Sequence, residues 1–269
     1  MSAVPLSLLD LALAASLILI NGAVSLAFRL GLEKQLAIVT IRMVVQLATI
    51  GYVLKLIFAQ TSPWWTLALA TVMILAAGQE AIARGETRIA DLLSYGLGAG
   101  TLLLVGALAT VFAVAGVIGP EPWYSPRYVL PILGMVLGNM LVGVSLVFET
   151  FGQACRRERA AIEARLALGA TRFEALSDIL RRAIRTAMMP ILNGMAASGI
   201  VALPGMMTGQ ILAGVDPVEA TKYQILIMFV LAAATAAAVV IVAAGAVLLL
   251  TDERHRLRLE RITSRGKGL

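Results

Sequence analysis

Long apolar stretches separated by short polar segments run along most of the chain. A transmembrane helix needs about 20 apolar residues to cross about 30 Å of hydrocarbon. The apolar stretches do not alternate apolar and polar residues with a two-residue period, as membrane-spanning strands would. Because helices and closed barrels are the only structures that satisfy their backbone hydrogen bonds in lipid, the stretches are predicted to be helices. The pattern predicts an all-α membrane protein with about seven spans, near residues 5–27, 35–58, 64–82, 95–118, 129–150, 187–214 and 224–250.

A charged amphipathic segment interrupts this pattern between the fifth and sixth spans. The residues from Arg156 to Leu168 place their apolar positions on one face and are predicted to form a short helix. Gly169 suits the left-handed position that ends many helices. Thr171 and Glu174 form a T-x-x-E capping box, which predicts a second helix directly after the corner. The apolar face of that helix contains Phe173, Leu176, Leu180 and Ala183.

The sixth apolar stretch is too long for one upright crossing. As a helix, Ala187–Val215 would rise about 42 Å. Pro204-Gly205 predicts a break, since proline lacks an amide donor and glycine is permissive. Interrupted helices can coordinate ions in transporters, so Met206 and Gln210 are candidate metal ligands, with core packing as the alternative for methionine. Asp216 is predicted to cap the last helix rather than to bind a ligand.

The distribution of basic residues predicts the orientation. Most of the 22 Lys and Arg fall on one side of the membrane if the N-terminus is outside. The positive-inside rule therefore favours an N-out, C-in topology with the amphipathic segment in the cytoplasm. We expect one transmembrane domain over residues 1–250, with the loop 151–186 inserted, and a basic cytoplasmic tail over 251–269. Anionic lipid would attract that tail.

Composition agrees with a membrane protein and excludes several classes. Hydrophobic residues make up 59% of the chain and charged residues 14%, whereas soluble proteins have about 25% charged residues. The isoelectric point near 9.9 is compatible with nucleic-acid binding. The basic residues lie beside the spans, however, so no nucleic-acid partner is expected. Cys155 is the only cysteine, which excludes an internal disulfide.

Glycine motifs do not indicate nucleotide binding. The chain contains no G-x-x-x-x-G-K-[ST] sequence, and Gly266-Lys267-Gly268 lacks the strand and helix of a phosphate loop. We therefore expect no ATP hydrolysis by this chain alone and no covalently bound cofactor. Glycines four residues apart predict close helix packing, within or between protomers. The pairs are Gly96 with Gly100, Gly134 with Gly138, and Gly205 with Gly209.

A few polar side chains fall inside the predicted spans. Ionisable groups at membrane depth are costly, which makes them candidates for a transport pathway. We hypothesise that Glu80 or Glu149 neutralises Arg42 and that the remaining carboxylates attract a cation. The alternative is that both carboxylates reach the headgroup region. The full set of pathway candidates is Arg42, Gln46, Gln79, Glu80, Asn139 and Glu149.

The amphipathic segment resembles a known docking loop. Glu163-Ala164-Arg165, followed after three residues by Gly169, is similar to the E-A-A-x-x-x-G loop of ATP-binding-cassette (ABC) permeases. In that loop an I-x-L-P sequence follows. Ile179 lies at the expected distance, but Arg181-Arg182 replaces Leu-Pro. From periodicity alone, an amphipathic helix resting on lipid explains the segment equally well.

A second stretch carries a more specific resemblance. Residues 202–225, "ALPGMMTGQILAGVDPVEATKYQI", together with "GATRFEAL" and the seven-span plan, resemble the FetB (YbbM) family of ABC permeases over nearly the whole chain. The resemblance implies a cytoplasmic FetA-like ATPase that uses ATP, iron export or metal and oxidative-stress resistance, and a place in the bacterial inner membrane. Plant relatives are associated with aluminium tolerance.

This resemblance makes the helix that ends at Gly169 the coupling helix. Because two ATPase subunits dimerise around ATP, two permease chains are expected, most simply as a homodimer. The residues predicted to contact the ATPase or to set the corner geometry are Glu163, Leu166, Gly169, Ala170, Thr171 and Phe173. Two other hypotheses are a secondary transporter driven by ion gradients through Glu80 and Glu149, and a membrane scaffold that recruits a partner through residues 156–185.

Overall fold

The computed structural model describes residues 7–59, 62–83, 87–89, 91–252 and 256–264, and this part of the chain is mostly helical. The helices are α1 (Leu8–Ala27), α2 (Glu33–Phe58), α3 (Pro63–Ala83), α4 (Asp91–Val111), α5 (Pro126–Arg157), α6 (Arg159–Ala167), α7 (Arg172–Ala197), α8 (Gly205–Leu212) and α9 (Pro217–Leu250). A π-helix (Phe112–Ile118) follows α4, and a 3-10 turn (Leu259–Arg261) follows α9.

The chain divides into two compact units. The smaller unit comprises α1 and α2 with Gly209–Val215. Ser25 is buried where α1 meets α2; its hydroxyl donates to Glu33 Oε2 at 2.9 Å and accepts from the Leu32 amide at 3.0 Å. These bonds satisfy polar groups at the connection of the two helices. Most apolar side chains of α1 and α2 are exposed in this unit, as expected for surfaces that contact lipid or another chain.

The larger unit is built around α5, which packs against α3, α4, α7 and α9. A Cβ added to Gly143 of α5 would lie 2.8 Å from Val239 Cγ2 and 3.1 Å from Thr235 Cγ2 of α9. This glycine therefore permits α5 and α9 to approach closely. The buried core contains Leu102, Met140, Val144, Val147, Phe151, Val239, Val242 and Ala246.

Five helices in the described residues are long and apolar enough to cross a membrane. They are Leu9–Ala27, Glu33–Phe58, Leu93–Ile118, Pro126–Arg157 and Pro217–Leu250. The third predicted span corresponds to α3, which has 21 residues but is not among the five. The helical membrane fold is confirmed, whereas the count of seven spans is not.

The bounds 187–214 predicted for the sixth span do not correspond to one helix of the structure. The predicted second amphipathic helix and the start of that span form one helix, α7, which contains 26 residues. The predicted interruption is confirmed, but it begins already at Ser198 and ends before α8 starts at Gly205. Gly199 has φ +93°, and the amides of Val201 and Ala202 donate to the Ala197 carbonyl. These hydrogen bonds across the interruption thus satisfy some of the backbone groups that a continuous helix would have paired.

The chain after α9 includes backbone pairing that the sequence did not predict. Strand β1 (Thr87–Ile89) pairs antiparallel with strand β2 (Ile262–Ser264). The Arg258 amide donates to the Leu250 carbonyl at 2.8 Å, which holds the chain against the end of α9. Gly266-Lys267-Gly268, weighed above as a phosphate loop, lies outside the described residues.

The paired glycines do not make close helix contacts within the described part of the chain, with one exception. A Cβ on Gly134 would lie 3.2 Å from Met73 Cε. No described atom lies within 4 Å of a Cβ built on Gly96, Gly100, Gly138, Gly205 or Gly209. Packing of these glycines between protomers stays a prediction.

Candidate functional site

Helix α6 and the start of α7 form a corner, which we call the α6–α7 corner (residues 158–182). The helix predicted from Arg156 is shorter than expected, because α5 continues to Arg157 and α6 starts at Arg159. Gly169 has φ +92°, as predicted for a residue that ends a helix. Its amide donates to the Leu166 carbonyl at 3.0 Å, and the Ala170 amide donates to the Arg165 carbonyl at 3.1 Å. These two bonds form a Schellman motif, which fixes the end of α6.

The predicted capping box at the start of α7 is confirmed. The Glu174 amide donates to Thr171 Oγ1 at 3.4 Å, and the Thr171 amide donates to Glu174 Oε2 at 2.8 Å. The bond from the Thr171 amide, followed by that from its hydroxyl, lowers the pKa of Glu174 below its ordinary value. Both ends of the corner are therefore determined by local hydrogen bonds.

Ion pairs connect the two arms of the corner. Arg165 Nη2 lies 2.9 Å from Asp178 Oδ2. Arg182 Nη2 lies 2.7 Å from both carboxylate oxygens of Glu158, which stands between α5 and α6. The hydrogen bond from Arg182 lowers the pKa of Glu158, and partial burial opposes it. Exposed pairs of this kind each contribute about 0–1 kcal/mol, so they orient α6 more than they stabilise the fold.

Removing the Arg182 pair should loosen α6 without unfolding the bundle. For Arg182→Ala we expect amide exchange in residues 159–170 to be about two- to fivefold faster at pH 7, as the loss of an exposed ion pair implies. Because folding lowers the pKa of Glu158, the pair contributes fully above the ordinary value of 4.5 and is lost as pH falls through the lowered pKa.

Hydrogen exchange measured by mass spectrometry checks this. The difference between variant and parent should vanish at acid pH. Arg181→Ala is the matched control, because it removes a neighbouring exposed arginine that does not bond to Glu158. Equal exchange in Arg182→Ala and Arg181→Ala at neutral pH would contradict the assigned role.

Apolar packing uses one face of α6 and leaves its tip exposed. Ile162 is 2% exposed, and Leu166 and Ala170 pack partly buried against the same core. By contrast, Leu168 is 88% exposed and Phe173 is 40% exposed. The corner is thus held by its inner face, while two apolar side chains project from it. We call Leu168 and Phe173 the apolar tip.

The six residues predicted to contact or shape the coupling site occupy different positions in the corner. Glu163 is exposed and pairs with Arg159 within α6 at 2.7 Å. The backbone conformation of the corner is determined by Gly169 and Thr171, as described above. Leu166 and Ala170 pack inward, whereas Phe173 is exposed. Leu168, the most exposed apolar side chain of the corner, was not predicted, although an apolar residue directly before the helix-ending glycine was a visible signal.

The polar residues predicted inside the spans lie on several helices. Arg42 and Gln46 are exposed on α2 of the smaller unit. On α3, Gln79 is exposed and Glu80 is half-buried. Within the described ranges, no group of three or more His, Cys, Asp or Glu side chains could hold a metal ion. The charge pairing proposed for Arg42 stays a prediction.

Two further pathway candidates lie on α5. Asn139 Nδ2 donates to the Met135 carbonyl at 2.9 Å, so its amide is partly satisfied within its own helix. Glu149 accepts a hydrogen bond from Gln153 one turn later. Both side chains are half-buried.

The candidates near the helix interruption are half-buried on α8. Met206 packs against the hydrophobic core. Gln210 Oε1 is buried and has no hydrogen-bond partner in the described part of the chain. Asp216 caps α9, as predicted, by accepting from the amides of Val218 at 2.9 Å and Glu219 at 3.3 Å.

Comparison with known proteins places this arrangement in a family. The model of the uncharacterised protein family UPF0014 matches residues 8–249, which cover most of both units and all of the α6–α7 corner. The chain belongs to the UPF0014 family. No solved structure matches it.

Relatives of the chain come from bacteria and plants. The probable iron export permease protein FetB of Escherichia coli is 35% identical over 226 residues, covering 82% of this chain and 83% of FetB. A membrane protein of Synechocystis is 39% identical, covering 71% of this chain and 73% of the relative. Protein ALUMINUM SENSITIVE 3 of Arabidopsis thaliana is 32% identical, with coverages of 80% and 77%.

Family membership and the apolar helices both indicate a location in a membrane. The chain is a multi-pass membrane protein, which is consistent with the inner-membrane location that its sequence predicted. Its similarity to a permease indicates a transport component rather than an enzyme. The UPF0014 match ends at residue 249, so the strand β2 and the residues around it lie beyond the region that the family model covers.

Proposed function

We propose that the chain is the membrane-spanning permease subunit of an ABC transporter that exports iron or a related metal species. A separate, FetA-like cytoplasmic subunit hydrolyses the ATP, since this chain has no phosphate loop. Similarity to the protein named FetB, over most of both chains, supports the transporter class and the metal substrate. The name of the Arabidopsis relative also refers to a metal.

The observation that carries the proposal is the α6–α7 corner. A docking element must keep its shape when another protein pushes on it. The Schellman motif, the capping box and the ion pairs provide that rigidity. The apolar tip supplies a small exposed surface that a partner groove can cover.

The same geometry argues against a helix that merely rests on lipid. An interfacial helix buries its apolar face among the acyl chains. The apolar face of α6 is already used, because Ile162 and Leu166 pack into the protein. What remains is the apolar tip, with exposed charged residues such as Glu163 and Glu174 in the same corner, which suits a protein groove better than a bilayer surface.

A homodimer of permease chains completes the assembly. ATP binds between two ATPase subunits, and each would engage one α6–α7 corner. The exposed apolar faces of α1 and α2 offer surface for contact with lipid or with the second chain. Movement of the corner during the ATP cycle would then be transmitted to the bundle through α7.

Reconstitution tests the proposal directly. The chain and a FetA-like ATPase from the same genome are purified together and placed in vesicles loaded with Fe(II). We expect metal movement that requires ATP hydrolysis, and none with a non-hydrolysable ATP analogue or with the permease alone. Metal movement by the chain alone under a proton or sodium gradient would instead establish a secondary transporter. Failure of the two proteins to associate would favour a scaffold.

A further inference from the structure

A cavity of about 480 Å³ lies where α7 ends, α8 begins and α9 passes beside them. All of its lining residues belong to the larger unit. Three of them are methionines from three separate helices: Met195 of α7, Met207 of α8 and Met228 of α9. The interruption of the helix after Ala197 makes room for this cavity.

The methionines are held by their surroundings rather than extended into solvent. All three side chains are half-buried. Met207 Sδ lies 3.9 Å from the hydroxyl of Thr221, which also lines the cavity. Met206, the neighbour in sequence, packs against the hydrophobic core, as Met195 and Met228 also do, but unlike them it does not line the cavity. Met207 therefore faces the cavity, whereas the methionine predicted from sequence does not line it.

A buried amide provides a second, independent observation. Gln224 lines the same cavity and is 8% exposed. Its Oε1 has no hydrogen-bond partner in the described residues. Buried polar oxygens nearly always have a partner, so an oxygen without one, on a residue that lines a cavity, is compatible with a bound ligand there. An amide oxygen in this position can accept a hydrogen bond or coordinate a cation.

The chemistry of these donors selects a class of ligand. Thioether sulfurs prefer soft ions such as Cu(I), and a glutamine oxygen can serve as a weak additional ligand. The cost of burying an ion rises steeply with its charge, and all four donors are neutral. A single positive charge is therefore favoured over a divalent or trivalent one. Hard cations, which prefer carboxylate oxygen, find no such donor among the lining residues.

We propose that Met195, Met207, Met228 and Gln224 form a binding site for a soft monovalent cation of the Cu(I) type. The site belongs to the permease chain alone and requires no ATPase, so it stands apart from the proposed export of iron. It adds a ligand class that the names of the relatives do not mention.

Silver(I), which does not change oxidation state in air, is the probe for this site. The full-length chain is purified in detergent with Cys155→Ala, which removes the only thiol. Equilibrium dialysis in chloride-free buffer should give one tightly bound Ag(I) per chain. Met207→Leu combined with Met228→Leu conserves volume and should weaken binding by at least about tenfold, as loss of metal-site groups commonly does. Met206→Leu is the matched control and should bind as the parent does.

Two results would overturn the proposal: no stoichiometric Ag(I) in the parent, or equal weakening by Met206→Leu and by the double variant. If Cys155→Ala does not fold, the same comparison is made with Cys155 present, where the double variant should bind one Ag(I) fewer per chain.

X-ray absorption of the Cu(I)-loaded chain should show sulfur neighbours of the metal, and their number should decrease in the double variant. Loss of ATP-driven iron movement in vesicles leaves all these measurements unaffected, so the two proposals can fail separately.

Discussion

Replacing Gly169 by valine is expected to weaken association with the proposed ATPase subunit by about tenfold or more, while the membrane bundle stays folded. The residue has φ +92°, a conformation that β-branched residues resist at a cost of about 1–3 kcal/mol. No described atom lies within 4 Å of a Cβ at this position, so the effect comes from the backbone and not from a clash. The corner would relax to another angle and misplace the apolar tip.

Co-purification of the ATPase and ATP-dependent transport in vesicles measure this effect. Gly169→Asn is the matched control, because asparagine tolerates the left-handed region better than other side chains. It should retain most of the association. Normal association in Gly169→Val would remove the corner from the docking surface. Equal loss in both variants would show that the positive φ is not the reason.

Replacing Gly143 by valine is expected to lower the stability of the bundle by about 1–3 kcal/mol or more, as overpacking of a core does. The first added carbon would already lie 2.8 Å from Val239 Cγ2, and the branch carbons need further space between α5 and α9. Neither helix can yield without disturbing buried neighbours such as Val144, which is fully buried. We expect a lower melting temperature and less monodisperse protein.

Thermal unfolding followed by size-exclusion chromatography checks the effect on packing. Gly138→Val provides the control, since it places the same side chain in the same helix where no described atom lies within 4 Å of the Cβ. Val239→Ala should partly restore the stability of Gly143→Val by making room. If Gly138→Val and Gly143→Val lower the melting temperature equally, helix propensity rather than close packing explains the loss.

The α6–α7 corner was predictable because its signals are local. Gly169 and the pair Thr171 and Glu174 act through hydrogen bonds that span only a few residues. Such motifs specify a helix end whatever the rest of the chain does. The ion pair between Glu158 and Arg182 connects residues 24 positions apart, and nothing in the spacing alone selects these partners.

The helix interruption was predicted at Pro204, but α7 ends at Ala197. Proline restricts the residue before it, which explains a break but not its full extent. Gly199 takes φ +93° just after the helix and is the ordinary glycine signal for a helix end. The apolar composition of this stretch favoured a continuous span and concealed that signal.

The cavity could not be predicted, because its donors come from three helices. Helical spacing within 202–225 singled out Met206 and Gln210, which share a helix. Met195 and Met228 join Met207 only through the packing of α7 and α9. The glycine pairs illustrate the same limit. Their four-residue spacing predicted close helix packing at Gly138, but α5 and α9 approach closely at Gly143.

Pro190 lies inside α7, between the corner and the cavity. It has no amide to donate to the Thr186 carbonyl, so the helix is most easily bent there. At 1.5 Å per residue, Thr171 lies about 28 Å from this point and Met195 about 8 Å on the other side. A bend at Pro190 lets the arm that carries the corner swing without turning the shorter arm by the same angle. A large displacement of the corner would therefore reach Met195 only in reduced form, and the lining of the cavity would stay nearly fixed.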